Sequence, residues 1–151
     1  MRPKWHILFG FVISYILVYF FNFPLAAGIT IFLSSFLIDV DHYLLYLYKT
    51  KNFNLKKSYF WCVSEGERFE RLPKNEKVKY KLIIMIFHGI EFITVLFLLS
   101  FLSPWFLWIL IGVLIHLSAD LPDLYVRGFP FREKISQIYT YITNRKKKEF
   151  K

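Results

Sequence analysis

A single cysteine, Cys62, stands among the 151 residues, which excludes an intramolecular disulfide and leaves nothing to indicate an oxidising compartment. No glycine-rich phosphate loop interrupts the chain, and it shows no internal repeat or low-complexity segment. The most informative absence is positive charge. From Trp5 to Tyr48, and again from Leu82 to Val126, there is no lysine or arginine, and all 20 basic residues lie outside those stretches. Within them lie Asp39, Asp41 and His42, then His88 and Glu91, then His116, Asp120 and Asp123. An ionised carboxylate inside a bilayer costs at least ~2.5 kcal/mol even on lenient insertion scales. With no cation nearby in sequence, the cheapest compensation is a bound metal ion or protons shared within the cluster.

What is abundant fixes the class. Hydrophobic residues make up 56% and aromatic residues 21% of the chain, above soluble usage, and the apolar residues come in runs long enough to cross a bilayer. The sequence predicts one domain and an all-α integral membrane protein, a bundle of four transmembrane helices over residues 5–21, 25–48, 79–101 and 105–121. A loop over 49–78 separates the two hairpins, and a basic amphipathic tail covers 129–151. The first apolar run, Trp5 to Phe21, exceeds the 7–15 residues of a signal-peptide core, so it reads as a retained helix. Pro24 and Pro104 each fit the first turn of a following helix.

The net charge of +9 is carried by the N-terminus, the central loop and the tail, whereas the turns near Asn22–Pro24 and Ser103–Pro104 carry none. That positive-inside pattern predicts a multi-pass cell-membrane protein with both termini and the long loop in the cytoplasm. The same placement points to anionic lipid headgroups and away from nucleic acid. Tyr59-Phe60-Trp61, beside Lys56 and Lys57, suits the membrane interface. In the tail, Ile135, Ile138, Tyr139 and Ile142 recur at helical spacing ahead of Arg145–Lys148, as in an interfacial anchor helix.

Spacing sorts the polar residues. Asp39 and His42 are i, i+3, His88 and Glu91 are i, i+3, and His116 and Asp120 are i, i+4, so each pair shares a helix face. Asp41 falls off the Asp39 face and is the weaker ligand or a supporting partner. Asp123 continues the His116 face, but Pro122 breaks the regular helix and leaves its direction open. At ~1.5 Å per residue all three pairs fall in the cytoplasmic half of their helices. The metal-ligand candidates are therefore Asp39, Asp41, His42, His88, Glu91, His116 and Asp120, with Glu91 or Asp41 as general base. Imidazole with carboxylate suits zinc first, then manganese, iron or nickel, and the donor count allows two ions. The plainer alternative is unrelated polar pairs, each satisfied across the bundle. His6 reads as a solvated end residue, Cys62 as a bland loop thiol, and Ser34, Ser35, Gly112 and Ser118 as packing scaffold. Lys56, Lys57, Arg127 and Arg132 are candidates to meet a lipid phosphate.

Ser-Phe-Leu-Ile-Asp39-Val-Asp41-His42 resembles the Asp-x-Asp-His segment of small bacterial and archaeal proteins known as predicted membrane-bound metal-dependent hydrolases. His116-Leu-Ser-Ala-Asp120 is similar to that family's later His-x-x-x-Asp. The resemblance spans residues 30–125. Leu37-Ile38 stands here where the family has Leu-Pro, and Phe87-His88-Gly89-Ile90-Glu91 stands where it has a His-Arg…Thr-His-Ser run. The resemblance implies a metal-dependent hydrolase.

The residues and the resemblance together predict hydrolysis of a lipid-like phosphoester or acyl ester at the inner leaflet by metal-activated hydroxide. Two competitors remain: a di-iron oxidoreductase, because Asp39-x-x-His42 and His88-x-x-Glu91 match the spacing of di-iron bundles, and a metal or proton transporter. The Asp-Gly-x-x-Ala-Arg run of lipid alcohol phosphotransferases is missing, as is a basic phosphatase motif beside a membrane histidine.

Overall fold

The computed structural model describes residues 3–126, 128 and 135–149, apart from the side chains of Pro3, Lys74 and Asp123. Arg127, Arg132, the side chain of Asp123 and part of the 129–151 tail thus lie outside the described residues. Among those described, the regular structure is helical: α1 (Pro3–Phe21), α2 (Leu25–Leu37), α3 (Val40–Thr50), α4 (Leu55–Glu70), α5 (Lys74–Lys77), a 3-10 turn (Ile86–His88), α6 (Ile90–Ser100), α7 (Pro104–Val126) and α8 (Gln137–Asn144). The chain divides into two compact units, one of Met1–Ile38 with Ile90–Val126, the other of Asp39–Gly89 with Arg127–Lys151.

The first unit holds α1, α2, α6 and α7, with α2 packed on α1 and α7, and α7 also on α6. Lipid and leucine are equally apolar, so helices in a membrane associate through close backbone approach at small residues. Ala27, Gly28, Ile31 and Ser35 form the buried face of α2. A Cβ on Gly112 would collide with Ser34 Oγ and the Ile31 carbonyl, and one on Gly28 would collide with Val18. Ser34 Oγ donates to the Thr30 carbonyl at 2.8 Å and Ser35 Oγ to the Phe32 carbonyl at 2.7 Å, so both hydroxyls are satisfied within α2. This is the packing role expected of Ser34, Ser35 and Gly112. Outward, Phe11, Tyr15, Tyr19, Phe97, Phe101 and Trp105 are exposed.

Among the described residues, three stretches are long and apolar enough to cross a membrane: Lys4–Phe21, Leu25–Thr50 and Pro104–Val126. Leu25–Thr50 is interrupted at Ile38–Asp39. The helix expected over 79–101 is only partly formed. It begins at Ile90 and runs 11 residues, a rise of ~16 Å, against ~30 Å of hydrocarbon.

The second unit explains why. Gly89 has an extended backbone (φ −102, ψ 158), which ends the 3-10 turn before α6 can begin. Lys81, Leu82 and Met85 take hydrogen bonds from the C-terminal segment instead of from a helix. Leu82 N–H donates to Asn144 Oδ1 at 2.9 Å, while Asn144 Nδ2 donates to the Leu82 carbonyl at 2.8 Å. Met85 N–H donates to Gln137 Oε1 at 2.9 Å, and Lys81 N–H to the Lys148 carbonyl at 2.8 Å. Apolar composition set the helix expectation, but side-chain amides arriving from α8 offer the backbone an alternative ladder.

The helical spacing of the tail is formed in α8 over Gln137–Asn144, and its two faces differ. Its buried face is Gln137, Thr140 and Asn144, and Ile138, Tyr139, Tyr141 and Ile142 are exposed. The expected 49–78 loop contains α4 and α5. Asn54 caps α4 by accepting Lys57 N–H at 3.0 Å, and α4 packs on α3 with Tyr46 and Trp61 rings 5.7 Å apart.

Candidate metal site

The polar residues assemble into one group within each unit. In the second unit Asp39 precedes α3, Asp41 and His42 lie in its first turn, and His88 ends the 3-10 turn. Asp41 is 5% exposed and its Oδ2 accepts Phe87 N–H at 2.7 Å. The same oxygen lies 3.2 Å from His88 Nδ1. A carboxylate only accepts, so Nδ1 carries the proton and Nε2 presents its lone pair. That lone pair faces Asp39 Oδ1 at 3.6 Å, and His42 Nε2 also lies 3.6 Å from Asp39 Oδ1.

These last separations exceed hydrogen-bond length. They match instead the edge of a coordination tetrahedron, since two ligands ~2.1 Å from zinc at the tetrahedral angle sit ~3.4 Å apart. Asp39, His42 and His88 each bring a donor atom into one group whose members all lie within 4.8 Å of one another. Asp41 does what a carboxylate behind a metal-binding histidine does: it fixes the ring's tautomer and direction. The donor set and spacing fit a divalent ion.

In the first unit His116 is 1% exposed and its Nδ1 lies 2.8 Å from the Ser35 carbonyl, which again directs the Nε2 lone pair outward. It meets Asp120 Oδ2 at 3.4 Å. The other oxygen, Asp120 Oδ1, is 3.2 Å from Nε2 of His6. The His6 and His116 rings stack at 3.9 Å and 17°. Near-parallel rings cannot aim in-plane lone pairs at one ion, so each imidazole addresses its own carboxylate oxygen.

The expected i, i+3 pair of Asp39 and His42 and the i, i+4 pair of His116 and Asp120 are both formed. His88 and Glu91 do not share a helix face, because the extended Gly89 separates the 3-10 turn from α6. Counting helical rise to His88 therefore does not apply. Glu91 is part-buried in the first turn of α6 and, among the described residues, belongs to neither group. His6 corrects the sequence reading: it is 2% exposed and sits against Asp120 and His116. The signal was there, since His6 lies inside the lysine- and arginine-free stretch that marked the other polar residues. Cys62 Sγ lies 3.6 Å from the His42 carbonyl, and burial pushes its thiol above the ordinary range.

Comparison with protein-family models, with curated proteins and with solved structures returns no match.

Proposed function

We propose that the protein is a metal-dependent membrane hydrolase acting on a lipid-like ester at the inner leaflet, with the basic segments and both termini on the cytoplasmic side. The carrying observation is the bracketing of His88, held at Nδ1 by Asp41 while Nε2 and His42 Nε2 both face Asp39 Oδ1. Asp39, His42 and His88 hold the ion, zinc by preference. When bound there, a divalent ion lowers the pKa of water towards ~7 and supplies a nucleophile at neutral pH. Asp41 keeps the His88 lone pair directed and raises its basicity. Asp39 is the carboxylate positioned to take the water's proton. The basic residues around α4 and α8 hold an anionic headgroup, which favours a phosphoester over an amide.

Backbone outside a helix must still find partners, and Asn144, Gln137 and Asp41 supply them to Leu82, Met85 and Phe87.

Elemental analysis of the purified protein beside Asp39→Ala/His88→Ala tests the reading. One equivalent of zinc or manganese, lost in the variant and accompanied by turnover of a phospholipid or lipid phosphate, is the expected result. Iron with a visible absorption band transfers the site to oxidoreductase chemistry. No metal in either sample after reconstitution refutes the proposal.

A further inference from the structure

The polar face of α8 is spent inside the second unit. Gln137, Thr140 and Asn144 are buried, and two of them bind the backbone of residues 82–85. What α8 shows outward is apolar: Ile138, Tyr141 and Ile142 are more than half exposed, and Tyr139 lies beside them. Arg145 continues that face, its guanidinium 5.2 Å from the Tyr141 ring, and Lys146 and Lys148 are exposed just beyond it. An apolar strip ending in a cluster of cations complements one partner, a leaflet of anionic lipid whose acyl boundary takes the side chains and whose headgroups take the charge.

The inner face of α8 leads to the metal group in two hydrogen bonds. Gln137 Oε1 accepts Met85 N–H at 2.9 Å, and the Met85 carbonyl accepts His88 N–H at 3.1 Å. Between them, Phe87 N–H reaches Asp41. We propose that α8 is a lipid-sensing clamp: docking of its outer face on anionic lipid holds residues 82–88 in register and thereby sets His88 against Asp39 and Asp41. The inference rests on the membrane reading, and its metal arm rests on the proposed site.

The test uses the full chain in nanodiscs of neutral lipid or of neutral lipid with one third anionic lipid. In a Cys62→Ser background, a nitroxide attached through Ile142→Cys reports depth, and hydrogen exchange reports the Leu82, Met85 and Phe87 amides. The expected result is a label shielded from aqueous relaxant and slower exchange at those amides in anionic discs. Arg145→Gln/Lys146→Gln reduces the docked population about fivefold per residue. Asn144→Ala leaves label depth unchanged, speeds exchange at Leu82 and weakens zinc binding. A label open to water in both lipids, or exchange indifferent to lipid charge, overturns the clamp. Shielding that depends on the number of chains per disc identifies a second copy as the occupant and overturns it too. Exchange is read without metal, so a protein that binds no zinc yet shows lipid-dependent protection refutes the hydrolase reading and leaves the clamp standing.

Discussion

Replacing Asp41 by asparagine separates the residue that holds an imidazole from the residues proposed to hold the ion. Asp41 Oδ2 accepts from Phe87 N–H at 2.7 Å and faces His88 Nδ1 at 3.2 Å. Asparagine is nearly isosteric and keeps one carbonyl oxygen, so the Phe87 amide retains its acceptor and the fold survives. The negative charge behind the imidazole is lost, and with it the basicity it lends to Nε2. Loss of such a supporting carboxylate costs 10–100-fold in metal affinity, or about 1.4–2.8 kcal/mol. Asp39→Asn, by contrast, removes the charged ligand itself, and binding falls below detection at micromolar zinc. Asp41→Ala goes further than Asp41→Asn in a different coordinate. It removes the acceptor of the part-buried Phe87 N–H, at about 1 kcal/mol of stability. Zinc titration against a chelating dye, run beside thermal unfolding in the same detergent, reads both quantities. Wild-type zinc affinity in Asp41→Asn, or equal losses in Asp41→Asn and Asp39→Asn, would refute the division of labour.

Three further outcomes are expected. Gly112→Leu forces α7 away from Ser34 and the Ile31 carbonyl, lowering stability by about 1–3 kcal/mol or more in thermal unfolding; an unchanged midpoint removes the close approach. His6→Phe keeps a ring stacked on His116 but deletes the Nε2 partner of Asp120, at a cost of about 1–3 kcal/mol, and a midpoint equal to wild type shows that the His6 contact contributes nothing. The Cys62 thiol is held protonated by burial, with its folded pKa above the unfolded one, so stability falls as pH rises through the unfolded value and alkylation at pH 8 is slower than that of glutathione; an equal alkylation rate contradicts it.

The helical class, the first, second and last apolar stretches and two of the three polar pairs were legible because they depend on local quantities: run length, composition and helical spacing. The third stretch was misread for a non-local reason. Leu82 to Met85 are as apolar as any span, and what keeps them from being helical is hydrogen bonding to side chains 52 and 62 residues away. The same distance hid the partners of α8: its isoleucine spacing marks the apolar face but not the bonds that Gln137 and Asn144 make to Met85 and Leu82. Asp41 was ranked below Asp39 on helix-face geometry, yet both reach His88 because the ring lies in a turn with both its nitrogens open to carboxylates. His6 lies only two residues beyond Lys4, so its place at the start of the apolar run suggests a solvated end, and its burial against Asp120 and His116 is set by helices distant in sequence.

The pairing of Leu82 with Asn144 has a consequence for how the molecule is made. The asparagine is synthesised 62 residues after its partner, which at 5–20 residues per second is a delay of roughly 3–12 s. Throughout that interval the Leu82 and Met85 amides lack the partners they have in the folded chain, and an apolar run in that state can form helix instead. Arrival of α8 must therefore capture that segment within seconds of its synthesis. A weak Asn144 clamp shows itself first as a defect in biogenesis, with chains misfolded around Leu82–Met85 before any mature protein exists to be assayed.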